Sequence, residues 1–335
     1  MAQRSIHIVR RPAATPSRWP PLLFLHGGYV DSRCWLPHFL PYFASRGYDC
    51  HAVDLPGHGR SEGRGCLDRL GLDDYLADLT PVVEGLGSRP VLIGHSMGAL
   101  LAERLLERSL AEAAVLLSPV PPNGTLESSL SLFLRHPGFI SAVAAMTSGV
   151  FDDDGMRLLR DVYFTPATDP DELLRLVRIV QPESTRAIAE MAMLGWRWPL
   201  PPRRRPVLVL RRPVLVLGGE LDVVFPPHQV RRVARRWHAE LEIIPAAGHA
   251  MILDHHWQGC AARILGWLQR GATAAPTAAT AALLRRRQRP PAKPAWRQGE
   301  WRTGRVAAYN RGSDQQQREH QHGPRSRALW QVASQ

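Results

Sequence analysis

Val91-Leu92-Ile93-Gly94-His95-Ser96-Met97-Gly98 is the stretch on which the fold turns. Three apolar residues that read as a buried strand run into Gly94-x-Ser96-x-Gly98, and an Ala/Leu-rich helical pattern follows from Ala99 to Leu106. A serine between strand and helix in this way sits on a turn tight enough to strain its backbone. Small residues two before and two after it let the helix pack close to the strand, and Gly94 and Gly98 meet that demand. The stretch predicts a nucleophile elbow with Ser96 as the nucleophile.

Upstream, Pro21-Leu22-Leu23-Phe24-Leu25 is a short apolar run stopped by His26-Gly27-Gly28. Tyr48 to Val53 is a second, ended by Asp54-Leu55-Pro56-Gly57-His58-Gly59. Both read as buried parallel strands. Trp35 to Arg46 is a helix candidate limited by Pro37 and Pro41, and Asp73 to Leu86 carries helical spacing interrupted by Pro81. Downstream, Ala114 to Leu117 makes the next strand. From Pro121 to about Pro202 the strand signals vanish, and the segment reads as short helices broken by Pro137, Pro166, Pro170 and Pro182. It is an inserted, mainly helical cap. Its apolar residues, among them Leu130, Phe133, Phe139, Ile140 and Met191, mostly pack it to the sheet, and the remainder can line a pocket.

A direct duplication follows: Arg204-Arg205-Pro206-Val207-Leu208-Val209-Leu210 recurs as Arg211-Arg212-Pro213-Val214-Leu215-Val216-Leu217. Only one copy can be the strand that feeds Gly218-Gly219-Glu220-Leu221-Asp222. The second is the expected one, because the loop after it sets the position of Asp222. Pro227 to His238 reads as helix, Leu241 to Ile244 as a short strand and Asp254 to Arg270 as a closing helix. Between the last two lies Gly248, expected to permit a tight turn that brings His249 to the carboxyl edge of the sheet. This β–α alternation implies an α/β fold with a mostly parallel central sheet, helices on both faces and an inserted helical cap. Ligands in such a sheet bind at the carboxyl ends of the strands. The expected divisions are 1–120 and 203–270 for the two parts of the core, 121–202 for the cap and 271–335 for a basic, disordered tail.

The order Ser96, Asp222, His249 is that of the α/β-hydrolase triad and differs from other serine hydrolase folds. A serine hydroxyl is a poor nucleophile at neutral pH unless a base removes its proton during attack, and imidazole suits that task. His249 is the candidate base, and Asp222 the group that holds its ring and stabilises the imidazolium. Met97 N–H, directly after the nucleophile, supplies one oxyanion donor, and the loop His26-Gly27-Gly28-Tyr29 should supply the other.

With His26-Gly27-Gly28, Asp54-Leu55-Pro56-Gly57-His58-Gly59-Arg60-Ser61, Gly94-His95-Ser96-Met97-Gly98, Gly218-Gly219-Glu220-Leu221-Asp222 and Gly248-His249, the chain resembles the α/β-hydrolase family. The resemblance is to the lysophospholipase or monoglyceride-lipase-like branch in particular. It covers roughly Pro21 to Arg270. It implies that Gly28 is the second oxyanion donor, with Tyr29 the adjacent candidate and a candidate pocket residue. It also assigns Asp54 and His58 to a structural turn. His95, His255 and His256 are given no chemistry. The expected activity is hydrolysis of carboxylic esters such as acyl glycerols or lysophospholipids through an acyl-enzyme, with no metal or organic cofactor. Thioester, lactone, amide and carbon–carbon hydrolysis use the same triad and stay open, as does a non-catalytic binding protein on this fold.

The net charge of +12 would suggest nucleic acid if it were spread evenly. Most of it lies in 271–335, where only Glu300, Asp314 and Glu319 oppose the arginines and Lys293. The body is close to neutral, so a nucleic-acid partner is not expected beyond that basic stretch. Cys34, Cys50, Cys66 and Cys260 lack metal-binding spacing and read as reduced structural residues. Met1 to Pro21 holds no continuous apolar segment like that of a signal peptide, and no apolar run approaches the roughly 20 residues a bilayer requires. The expectation is a cytoplasmic protein acting on a small-molecule ester.

Overall fold

A computed structural model describes residues 4–15, 19–195 and 212–272. The first copy of the duplicated heptad and the basic stretch from 273 onward lie outside the described residues.

Seven strands form one sheet: β1 (Ile8–Arg11), β2 (Leu22–Leu25), β3 (Cys50–Val53), β4 (Val91–His95), β5 (Ala113–Leu117), β6 (Val214–Gly219) and β7 (Glu240–Ile244). Their spatial order is β1-β3-β2-β4-β5-β6-β7. β1 pairs antiparallel with β3, and the other pairings are parallel, with Leu25 opposite Gly94, His95 opposite Leu117 and Leu117 opposite Leu217. β2, β4, β5 and β6 are buried at every residue, as required where helices cover both faces. Successive side chains of one strand therefore enter different cores. Leu22 and Phe24 pack with Trp35, Phe39 and Phe43 on one face, alongside α1 (Phe39–Ala44) and α10 (Trp257–Trp267). Leu23 and Leu25 enter the other core with residues of α2 (Leu72–Glu84), α3 (Met97–Glu107) and α9 (Pro227–Trp237).

Between β5 and β6 the described insertion consists of α4 (Leu126–Arg135), α5 (Phe139–Thr147), α6 (Asp153–Tyr163), α7 (Pro170–Val177) and α8 (Thr185–Ala192). Asp152, Asp169 and Ser184 cap the last three through side-chain oxygens, each satisfying an N–H that has no partner inside the helix.

The second heptad copy is the strand β6, as its following loop required. Two local expectations are revised, and one strand is added. The stretch from Trp35 to Arg46 yields only a short α1, with a 3₁₀ turn, Ser32–Trp35, just before it, because Pro37 precedes the helix and Pro41 fits its first turn. α2 continues through Pro81 to Glu84, since a proline near a helix end removes one N–H without stopping the last turn. β1 was not foreseen: its Ile8 and Val9 sit beside Arg10 and Arg11 on an exposed edge strand and leave no apolar run to read. Among the described residues no helix is long and apolar enough to cross a membrane.

Candidate active site

Ser96 follows β4 directly and precedes α3 with φ 54° and ψ −117°, a strained combination for a residue with a Cβ. The turn is possible because of its neighbours. A Cβ on Gly94 would run into the Gly98 carbonyl, and a Cβ on Gly98 into the carbonyl of Leu25 on β2. Neither position admits any other residue without opening the turn. Ser96 N–H donates to the carbonyl of Leu117 at 2.9 Å, which ties the elbow to β5.

Asp222 stands in the loop after β6, and His249 in the loop after β7. His249 Nδ1 donates to Asp222 Oδ2 at 2.9 Å, with both residues buried. The other carboxylate oxygen, Oδ1, accepts from Val224 N at 2.9 Å and Phe225 N at 2.8 Å. Asp222 thus locks its own loop and the imidazole together. The His249 loop is pinned further by Ala250 N donating to the Tyr163 carbonyl at 2.7 Å. Gly248 does not supply the turn as expected. The left-handed residue is Ala246, at φ 56°, whereas Gly248 is needed because a Cβ there would come 2.7 Å from the Phe164 carbonyl of the insertion.

His95, given no role from sequence, lies in the site. Its Nε2 donates to the carbonyl of His249 at 2.9 Å, and the two rings are 4.9 Å apart. Burial, then the neighbouring His249, pushes the His95 pKa down to about 3, so the ring stays neutral. His26 is similar. Its Nδ1 donates to the Gly27 carbonyl at 2.7 Å and its Nε2 accepts from Leu55 N at 2.9 Å; burial, then His58, lowers its pKa to about 4. His26 therefore stitches the loop after β2 to the loop after β3.

Ser96, Met97, Gly28, Tyr29, His95 and His249 border one cavity of about 340 Å³. Asp222 is not on its wall and reaches His249 from behind. The rest of the lining is mostly apolar, from the core (Val30, Phe225, Leu253) and from the insertion (Leu132, Met146, Leu159). Cys34 also lines it, with burial holding its thiol well above the usual range and hence protonated. Among the described residues, neither Gly28 N–H nor Met97 N–H is engaged by another protein group, whereas Tyr29 N–H donates to Glu183 Oε2 at 3.3 Å. Sequence reading missed Glu183, which sits in the insertion without a motif around it.

The four cysteines are free thiols, three of them buried. Asp54 serves its turn, accepting from Ser32 N and from Arg60 N, both at 2.9 Å. Asp254, His255 and His256 bring potential metal-ligand atoms within 4.8 Å of one another. None of the three borders the cavity, and Asp254 Oδ1 already accepts from His256 N at 2.9 Å.

The model of the alpha/beta hydrolase family matches residues 22–263, most of the chain and every element just described except β1 and the last residues of the closing helix. A non-heme haloperoxidase of Rhodococcus erythropolis is 39% identical over 106 residues, which is 30% of this chain and 38% of that protein. The match thus spans well under half of that relative's own length. Among solved structures, a Mycobacterium tuberculosis protein named as a non-heme bromoperoxidase superposes with TM-score 0.63 at 22% identity, covering 81% of this chain and 97% of the other. A monoacylglycerol lipase of Paleococcus ferrophilus superposes with TM-score 0.58 at 19% identity, covering 79% and 98%. At these identities the two structures speak to the fold.

Proposed function

Because the chain belongs to the alpha/beta hydrolase family, we propose that it is a serine hydrolase of carboxylic esters, working through an acyl-enzyme on Ser96. The observation that carries this reading is the buried 2.9 Å bond from His249 to Asp222 behind a cavity that His249 shares with a strained Ser96. With Nδ1 committed to Asp222, the imidazole has Nε2 available as the base. In this reading Nε2 takes the Ser96 proton during attack on the ester carbonyl and returns it to the leaving alcohol. It then activates the water that releases the acid.

The tetrahedral oxyanion is received by Gly28 N–H and Met97 N–H, neither of which is engaged by another protein group among the described residues. Tyr29 N–H is spent on Glu183, which favours Gly28 over its neighbour. The five-helix insertion acts as a cap over the acyl group, and its contribution of Leu132, Met146 and Leu159 to the wall supports medium-chain esters. Acyl glycerols or lysophospholipids, the substrates of the lysophospholipase and monoglyceride-lipase-like branch, fit that description. Labelling with a fluorophosphonate tests the assignment: one adduct is expected at Ser96, and wild-type protein that remains unlabelled would refute it.

A second reading is favoured by the haloperoxidase relative. Hydrogen peroxide could replace water at the acyl-enzyme, giving a peracid that oxidises halide. Bromination of a phenol dependent on peroxide, a carboxylic acid and Ser96 would support it.

A further inference from the structure

A buried carboxylate lies against the oxyanion loop. Glu183, between α7 and α8, is fully enclosed: Oε1 accepts from Tyr75 OH at 2.7 Å and from Ser184 N at 2.8 Å, while Oε2 accepts from Tyr29 N at 3.3 Å. His58 Nε2 stands 3.1 Å from Oε2, and its Nδ1 donates to the Pro56 carbonyl at 3.1 Å. Two residues earlier, Gln181 N donates to the Tyr29 carbonyl at 2.9 Å, and its side chain binds Asp31 Oδ2 and Gly59 N at 2.9 and 3.0 Å. The insertion therefore grips Tyr29 from both sides.

That grip matters because Tyr29 has φ 65°, a conformation a bulky residue does not adopt unless its surroundings impose it. Gly28, whose N–H faces the proposed oxyanion, is the residue before it, and a Cβ on Gly28 would lie 3.4 Å from Glu183 Oε2. An isolated negative charge so close would oppose a developing oxyanion. His58 offsets it. Burial works against charge on that ring, but Glu183 outweighs burial and raises the His58 pKa; reciprocally, His58 and the hydrogen bonds to Glu183 outweigh burial and keep its carboxyl ionised.

We propose that Glu183 is a positioning residue for the oxyanion site: by holding the strained Tyr29 peptide it aims the Gly28 N–H, with His58 neutralising the charge it brings. The inference rests on Ser96 and Gly28 acting as read above. It assigns the insertion a part in transition-state stabilisation besides enclosing the acyl group.

The test uses the full chain with Glu183→Ala, Glu183→Gln and, as a control for lost stability, Val83→Ala near the end of α2, which touches neither Glu183 nor the cavity. The readouts are kcat and KM on p-nitrophenyl butyrate, the rate of Ser96 acylation by a fluorophosphonate, and inhibition by an alkyl trifluoromethyl ketone, whose adduct carries an oxyanion. Glu183→Ala should lower kcat and acylation by about 10- to 100-fold with KM within about threefold, and should weaken the ketone to a similar extent. Glu183→Gln, whose carbonyl can still accept from Tyr29, should recover most of the loss, and Val83→Ala should lower Tm while retaining kcat. If Glu183→Ala does not fold, Glu183→Asp keeps the charge but shortens the reach to Tyr29, and should show the same loss in kcat at about fivefold or more. Unchanged kcat in Glu183→Ala and Glu183→Asp, or a loss confined to KM in them, overturns the proposal. Wild-type protein that is never acylated overturns the hydrolase reading and this inference with it. A wild type acylated normally, with the Glu183→Ala rate unaltered, overturns the inference alone.

Discussion

Asp222 holds His249 with one carboxylate oxygen and its own loop, through Val224 and Phe225, with the other. The two tasks separate on mutation. Asp222→Asn retains a carbonyl for one set of N–H donors but misdirects the imidazole, so kcat should fall about 10³- to 10⁴-fold while the fold persists. Asp222→Ala should add a drop in Tm, because the buried Phe225 N–H and the half-buried Val224 N–H lose their acceptor. Equal Tm for the two variants would show that the loop does not depend on Oδ1.

Ser96→Ala and His249→Ala should each cut ester turnover by several orders of magnitude, and the double variant should cost little more than either, since members of one catalytic unit are not additive. Turnover near that of the wild type in either purified variant would remove the assignment.

On the proposed reading, the apolar cavity of about 340 Å³ sets the acyl preference. Each methylene it buries should contribute about 0.8 kcal/mol, a roughly fourfold gain in kcat/KM, until the wall is reached. Specificity should climb from acetyl to medium-chain esters and then level off, and Met146→Trp should move the plateau to shorter chains. A profile flat or falling from acetyl to octanoyl esters would eliminate the lipid-like substrate and leave the triad untouched.

Glu103 on α3 is buried and accepts from Trp237 Nε1 at 2.6 Å. Burial raises its pKa to about 7. A carboxyl whose folded pKa lies above its unfolded value adds stability below the unfolded value of about 4.5 and loses it as pH rises through about 7, an effect on the order of 3 kcal/mol. Glu103→Gln should therefore raise Tm at pH 8 and change it much less at pH 4.5. A Tm difference independent of pH would mean that Glu103 does not titrate in this window.

His26 and His95 act in the opposite sense, because their folded pKa values, about 4 and about 3, lie below the unfolded value. The stability they confer is complete above about pH 6.5 and disappears as pH falls through 4 towards 3. Thermal unfolding followed from pH 7 to 4 should show this decline, and His95→Asn should make it shallower. A slope unaltered by that substitution would assign the acid limb to other groups.

Much of the fold could be read in advance because its signals are local. The fully buried strands β2, β4, β5 and β6 are mostly apolar runs, and each is punctuated by glycine or serine at or just past its carboxyl end. Asp222 and His249 could be named for the same reason, each following a strand by a few residues. Glu183 could not. Its partners Tyr29, His58 and Tyr75 are more than a hundred residues away in the chain, and nothing beside Pro182 and Ser184 announces a buried carboxylate. The role of Gly248 was misread for a related reason, since the backbone of Phe164 that excludes a Cβ there belongs to a distant element.

If Ser96, Asp222 and His249 act as proposed, the placement of the helical insertion between β5 and β6 also governs when the protein becomes chemically competent. Ser96 leaves the ribosome with the first half of the sheet, but Asp222 arrives only after the insertion and β6 have been made, and His249 only after β7. On the proposed reading, until β7 pairs with β6 the Ser96 of a nascent chain is an ordinary alcohol and not a nucleophile, so it does not attack the esters around it while it is still being synthesised.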